Sequence, residues 1–402
     1  MLITDLSHWS HEEFESYVEG MCETLENLPY ERIAFFAHST PEVVCLFFAL
    51  WKLKKIACPL NCRLPSIKSS LEELDAYFLT PEMPSPKKPR PWSLEKNQLA
   101  TLLFTSGSTG TPKIACHSLG NFIYNAQGAH TIIKLLPDDI WHLSLPLHHV
   151  GGLAILFRCY LAKCSLSLES HQTSASYLSF VPTQLIRLKE KNPSLPHLKG
   201  ILLGGAPLQA SYDTPWKIYP TYGMTEMSSQ IATCGRVLPY GEVKLNPDGE
   251  ILVKGKTLFQ GYFHKKEGVT LPLDKNGWFA TKDLGKWNKK EELEIIGRKD
   301  NLFISGGENI QPEEIEAALK KALNLEEAIV VPLNDPIFGQ RPVAFLRPRQ
   351  ELHTVQECLK AILPKYKIPI HAFPLPESES LKPNRQKLKE FLKNLERFEG
   401  LV

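Results

Sequence analysis

Thr105-Ser106-Gly107-Ser108-Thr109-Gly110-Thr111-Pro112-Lys113 is the stretch on which the reading of the chain turns. It follows an apolar run, Leu99 to Phe104, that reads as a buried strand. Glycines let the backbone turn tightly and present bare N–H groups, the hydroxyls add donors, and the lysine adds positive charge. The segment reads as a loop built to hold phosphate. It lacks the G-x-x-x-x-G-K-[ST] spacing of the P-loop, because its lysine comes three residues after the second glycine. Taken alone it is also compatible with a Ser/Gly-rich surface turn.

Working outward, the 402 residues suffice for two or three domains with a large core. Lys+Arg 46 against Asp+Glu 44 leaves a net charge of +2, which makes no case for a nucleic-acid or membrane partner. The longest apolar run, Val43 to Trp51, is too short to span a bilayer. The opening MLITDLSHWSHEEFE shows no basic-then-apolar leader, and the expected location is the cytoplasm. The nine cysteines are scattered without a C-x-x-C, so they read as reduced, mostly buried thiols rather than metal ligands.

Upstream, Arg32 to His38 reads as a strand, Thr40-Pro41-Glu42 as a helix start, and Ile56 to Leu60 as a second strand. This is a βαβ beginning and argues for α/β layers. Five prolines between Thr80 and Pro91 mark an extended linker. Downstream, Ile114 to Cys116 is a short strand and Asn121 onward a helix. His148 and His149 then stand at a predicted strand end, which points them to opposite faces. Strand Ile201-Leu202-Leu203 runs into Gly204-Gly205-Ala206-Pro207, where glycines let a flat ring lie against backbone. A plain strand-to-helix turn is the equal alternative there.

Further on, Tyr219 to Glu226 (YPTYGMTE) offers a ring to stack in Tyr222, close approach at Gly223, a hydroxyl in Thr225 and a hard oxygen ligand for Mg²⁺ in Glu226. Asp283, in Asn276 to Gly285, can take two ribose hydroxyls on its carboxylate. Gln311-Pro312-Glu313-Glu314 opens a helix with Ile315, Leu319 and Ala322 on one face. Strands Ala328 to Leu333 and Val343 to Leu346 follow. A last amphipathic helix carries Leu388, Phe391, Leu392 and Leu395 on one side, with Lys387 and Lys389 expected on its solvated face.

Together these strings resemble the adenylate-forming superfamily, which activates carboxylates with ATP: TSGSTGTPK its phosphate loop, YGMTE its Y-G-x-T-E motif, GWFATKD its G-W-x-x-T-G-D block with Lys282 in place of glycine. The resemblance implies a large layered α/β N-terminal domain with α/β/α-type subdomains, residues 1–297, and a small mobile α+β C-terminal lid, residues 301–402. The hinge would be 298–300 (Arg298-Lys299-Asp300). It implies ATP and coenzyme A as substrates and Mg²⁺ on Glu226. Thr105, Ser106, Gly107, Ser108, Thr109, Gly110 and Lys113 would hold phosphate. Gly204, Gly205 and Ala206 would border adenine, alongside Tyr222, Gly223 and Thr225. Asp283 and Arg298 would hold the ribose or α-phosphate, and Gly306 and Gly307 would enter for the thiol step. Lys382, preceded by Leu381 where the family has glycine, would be the catalytic lysine, and His149 would line the acyl pocket. His148 replaces the usual aromatic.

Finer blocks, LPLHHVGGLAILFR, SFVPTQLIRL, ILLGGAPL, YGMTEMSSQIAT and LKPNRQKLKEF, resemble the o-succinylbenzoate–CoA ligase family of menaquinone biosynthesis. Its substrate has two carboxylates, and Arg158 and Ser229 are the candidates for holding the unreactive one or the ketone. The alternative for Arg158 is a surface ion pair. Ligases for other aryl or medium-chain acids, transfer to a carrier protein, and a non-catalytic nucleotide-binding relative are the competing readings. A homo-oligomer is compatible with the sequence.

Overall fold

The computed structural model describes residues 2–4, 7–63, 66–105, 113–169, 171, 173–205, 214–377 and 384–399. Strands Arg32–Phe36, Ile56–Leu60 and Leu99–Thr105 lie parallel in one sheet, and Lys113–Ser118 closes antiparallel on the last of them. Helix Pro41–Lys52 connects the first two, with its proline at the helix start. Nine consecutive residues of this helix, Val43 to Trp51, are buried. A helix apolar all round is covered on all sides, and each large side chain so buried stabilises by ~1.5–3 kcal/mol. The indole N–H of Trp51 donates to the Ala100 carbonyl at 3.1 Å, so the ring is buried without an orphaned donor.

Among the described residues this sheet has seven strands, a second has nine, and a third has four. The second runs from Arg236–Val237 through Ser229–Thr233, Ile218–Met224, Gly200–Leu203, Tyr177–Phe180, Ile140–His142 and Ser165–Ser167 to Leu2–Ile3 and His8–Trp9. Helices Leu119–His130 and Val150–Ala162 stack Phe122 on Phe157 with centroids 4.9 Å apart. One core joins Ile33 and Phe35 of the first sheet, these two helices, and Trp141, Tyr177 and Leu202 of the second. The third sheet pairs Gly241–Leu245, Glu250–Gly255, Phe279–Trp287 and Leu293–Arg298.

The C-terminal part has cores of its own. Ile315, Leu319, Val330, Ala344, Val355 and Leu359 form one, and Val331, Val343, Phe345, Leu388 and Leu392 another. Its sheet carries Phe303–Ser305, Glu308–Ile310, Glu327–Asp335, Gly339–Arg347 and His371–Pro374, flanked by helices Pro312–Leu323, Leu352–Lys360 and Arg385–Glu399. The chain is thus a large α/β domain followed by a small α+β domain. No helix of the described residues is long and apolar enough to cross a membrane.

Several local expectations need correction. The proline-rich stretch is extended but not free: it is a strap laid along helix His11–Leu25. There the Lys87 amide donates to the Ser16 carbonyl at 2.9 Å, and Arg90 pairs with the buried Glu19. His148 and His149 lie in the turn before helix Val150–Ala162, with rings 4.3 Å apart rather than on opposite faces. Ala322 and Phe391 are exposed, Phe391 because it only edges the Phe345–Phe373 pair at the rim of the small core. Lys389 is half-buried, and burial pushes its ammonium below its ordinary range, so it is not part of a fully solvated face. The cysteines are free thiols; Cys22, Cys45, Cys58, Cys116, Cys159 and Cys164 are buried, whereas Cys234 is exposed.

Candidate active site

The phosphate-loop string hangs between two paired strands. Thr105, the last residue of Leu99–Thr105, is the register partner of Lys113, the first of Lys113–Ser118. Ser106, Gly107, Ser108, Thr109 and Gly110 between them lie outside the described residues, as do Ala206 and Lys382. The Lys113 ammonium stands 4.6 Å from the centre of the Tyr262 ring, and the Tyr262 hydroxyl donates to Glu226 Oε1 at 2.7 Å. Burial and the Glu226 carboxylate together raise the Tyr262 phenol above its ordinary range. One tyrosine therefore joins the loop lysine to the candidate metal ligand.

The YGMTE string is not a loop. Ile218–Met224 is a strand and Thr225–Met227 a single 3₁₀ turn that lifts Glu226 off the strand end. The fully buried His117 donates from Nε2 to the Thr225 carbonyl at 2.7 Å and pins that turn to the strand leaving the phosphate loop. Burial pushes His117 down to about 4, so it is neutral at pH 7. An unfolded histidine takes a proton below about pH 6.5. The unfolded chain then binds the extra proton, and stability falls as pH drops from about 6.5 to about 4, with no further loss from this group below that. The expected loss is up to about 3 kcal/mol. His148, also pushed to about 4 by burial, then by His149 and Arg63, adds in the same sense. Urea unfolding at pH 7 and pH 5 checks this; a His117→Gln variant should remove about half of the difference, leaving the share of His148.

Four residues before Glu226, on the strand that leads into its turn, the Tyr222 hydroxyl donates to Asp283 Oδ2 at 2.7 Å. Arg298 Nη1 donates to Asp283 Oδ1 at 3.1 Å, and its Nη2 to Asp300 at 3.2 Å. Burial works to lower the Arg298 guanidinium, but the two carboxylates outweigh it and hold it above its ordinary range. Asp283 thus accepts from Tyr222 at one oxygen and from Arg298 at the other. Lys282 stands at φ 63°, the left-handed region glycine favours, which explains why the block it belongs to has a glycine there elsewhere. Gly204 and Gly205 follow strand Gly200–Leu203, which runs parallel to the Tyr222-bearing strand. Gly306 and Gly307, at φ 59° and 86°, make the hairpin turn between Phe303–Ser305 and Glu308–Ile310. His149 caps the start of helix Val150–Ala162.

Arg158, on that helix, is 2% exposed and forms no ion pair with a described residue, so the surface-pair alternative is excluded. Its Nη2 donates to Gln230 Oε1 at 2.5 Å, and its guanidinium lies 5.3 Å over the Trp141 ring. Ser229 adjoins Gln230 at φ 115°, in an irregular pairing beside Gly223. Among the described residues no group of three or more His, Cys, Asp or Glu gathers to cage a metal.

The structure therefore brings together Lys113, Tyr262 and Glu226 in one cluster, through a cation–ring contact and a hydrogen bond, and Tyr222, Asp283 and Arg298 in a second, hydrogen-bonded one. Sequence reasoning missed His117, Tyr262 and Gln230. His117 and Tyr262 are single residues outside any recurrent string, and Gln230 sits within YGMTEMSSQIAT with no local signal of its own. Only their pairing across the sheets brings them to the site.

Residues 66–263 match the AMP-binding enzyme family and 314–382 the AMP-binding enzyme C-terminal domain. The fold and the cluster define such an enzyme, and the chain belongs to that family. Within it, the chain groups with the 2-succinylbenzoate–CoA ligases. It is 32% identical to that of Escherichia coli over 393 residues, covering 89% of this chain and 86% of the relative. It is 38% identical to that of Haemophilus influenzae over 323 residues, covering 73% and 71%. An E. coli MenE variant with bound OSB-AMS superposes with a TM-score of 0.86 at 27% identity, over 97% of this chain and 94% of the other. The Bacillus subtilis o-succinylbenzoate coenzyme A synthetase in complex with ATP and magnesium ion superposes with a TM-score of 0.84 at 26% identity, over 96% of each chain.

Proposed function

We propose that the chain joins a carboxylic acid to coenzyme A at the expense of ATP, forming an acyl-adenylate and then a thioester, with o-succinylbenzoate as the acid. The observation that carries this is the convergence of Lys113, Tyr262 and Glu226 with Tyr222, Asp283 and Arg298. The substrate carboxylate is itself the nucleophile, so no nucleophilic side chain is required.

Charge gathers at the α-phosphorus as the carboxylate attacks, and groups aimed at it lower the barrier. Lys113 and the donors of 105–110 are assigned to the phosphates, and Asp283 with Arg298 to the ribose. Gly204 and Gly205 border the base, and Lys382 neutralises the developing charge. Mg²⁺ is held by one or two carboxylates plus substrate phosphates rather than by an all-protein cage, so the lone Glu226 carboxylate fits it. When bound, the ion would neutralise phosphate charge. His149 is assigned to the acyl pocket, and Arg158 with Ser229 to the second carboxylate or the ketone. We also propose 298–300 as the hinge between 1–297 and 301–402, with the Gly306-Gly307 turn brought in for the thiol step. A cytoplasmic location, where ATP and coenzyme A are supplied, is part of this reading.

The test is an assay of AMP and thioester formation with o-succinylbenzoate against benzoate and fatty acids. Rapid turnover of o-succinylbenzoate alone is expected; preference for another acid would refute the substrate assignment. Lys382→Ala should lower adenylation by about 10²–10³-fold with ATP binding retained, and wild-type activity in that variant would refute the lysine assignment.

A further inference from the structure

The guanidinium of Arg158 is buried against an amide instead of a carboxylate. Gln230 Oε1 accepts from Arg158 Nη2 at 2.5 Å, while Gln230 Nε2 donates to Thr233 Oγ1 at 2.7 Å. Arginine has no acceptor, so the amide atom that faces it must be the oxygen; the Thr233 hydroxyl then accepts the amide N–H and holds the side chain in that orientation. The Gln230 backbone is held too: its carbonyl accepts from Asn125 Nδ2 at 2.8 Å. Arg158, Gln230 and Thr233 are all at least 96% buried.

What is missing is as informative. Among the described residues no carboxylate lies within ion-pair distance of Arg158, and its Nε–H has no partner. The ring of Trp141 covers the guanidinium, and burial pushes it down to about 10. Buried charges are ordinarily paired, and arginine's five N–H groups suit a planar carboxylate in two-pronged fashion. A glutamate at 230 would have the same length and would neutralise the group permanently. The neutral amide orients the guanidinium and leaves its charge uncompensated.

We infer that Gln230, oriented by Thr233, is a specificity-determining positioning residue: it holds Arg158 with a neutral acceptor so that the guanidinium is free to take the second, unreactive carboxylate of a dicarboxylic substrate. This rests on the assignment of Arg158 given above and adds the residue that sets its selectivity. An acid without the second carboxylate gains nothing from the arrangement.

Steady-state kinetics of the full chain test it, with o-succinylbenzoate varied at saturating ATP and coenzyme A, and benzoate as the monocarboxylate probe. Gln230→Glu is expected to raise the KM for o-succinylbenzoate roughly 10- to 100-fold, the worth of a charge-assisted contact, with kcat and the KM for ATP nearly unchanged. The kinetic constants for benzoate should not move. Thr233→Val keeps the glutamine but frees its amide, and should raise the same KM by roughly threefold or more; it decides the matter alone should the glutamate variant fail to fold. A general structural role would instead lower kcat for both acids together with the thermal midpoint, which overturns the inference. Arg158→Lys separates the two levels. If it raises the KM for o-succinylbenzoate and neither partner variant does, Gln230 has no part in selectivity. If it leaves that KM unchanged, the assignment of Arg158 fails, and this inference with it.

Discussion

Glu226→Gln is expected to slow acyl-adenylate formation by about 10²–10³-fold while leaving the fold intact, on the scale of removing one preorganised charge-stabilising group. The substitution is nearly isosteric. Glu226 accepts the Tyr262 hydroxyl at Oε1, and a glutamine oxygen accepts it as well. The Glu226 backbone carbonyl accepts the Phe259 amide at 2.8 Å, a bond untouched by the change. What disappears is the negative charge at the end of the 3₁₀ turn, which is what a hard cation would seek. The measurement is acid-dependent pyrophosphate release at several Mg²⁺ concentrations, with the thermal midpoint as control. The variant should need more Mg²⁺ for half-maximal rate, and an unaltered Mg²⁺ requirement would remove Glu226 from the metal role.

The second large effect is steric. At Gly223 an added Cβ would stand 1.9 Å from the Ser229 carbonyl oxygen, 2.7 Å from its carbon and 3.0 Å from the Gln230 Cα. All three are backbone atoms of the neighbouring strand, so no rotamer can relieve the clash. The strand pairing already shifts register between Tyr222 and Gly223, with Gly223 opposite Gln230 and Met224 opposite Ser229. Gly223→Ala must push these strands apart, at a cost of about 3 kcal/mol or more. The strain falls between Tyr222, which holds Asp283, and Glu226, and a displacement of about 1 Å in such a site is worth about 10²-fold in rate. Urea unfolding and ATP titration should both report it. Wild-type values in both would mean that the two strands part without consequence.

Much of the fold was legible because its signals are local. Leu99 to Phe104, the Pro41 helix start and the Pro312 helix start sit where expected. Each is carried by residues adjacent in the chain: apolar runs, a proline at the helix start, acids in a first turn. The misreadings have the same origin. Two adjacent histidines seem to alternate across a strand only if a strand is there, and the turn that starts helix Val150–Ala162 removes that premise. The prolines of 81–91 suit a free linker as well as a strap, and only contacts with helix His11–Leu25, from Lys87 to Ser16 and from Arg90 to the buried Glu19, distinguish them. Arg158 was named from sequence, but its burial was not readable, since nothing near it in the chain says that Trp141 covers it and Gln230 meets it.

By itself the sequence determined which chemistry the chain carries: the glycine-hydroxyl loop ahead of Lys113, the YGMTE string and the aspartate at 283 are each written in a handful of consecutive residues. Only the tertiary structure decided which groups hold that chemistry in place. Tyr262 reaches Glu226 across 36 residues, Gln230 meets Arg158 across 72, and His117 meets the Thr225 carbonyl across 108. Local patterns record the conformational preferences of neighbours. A contact between distant residues depends on sheet register and on the helices packed between, and no short string encodes these.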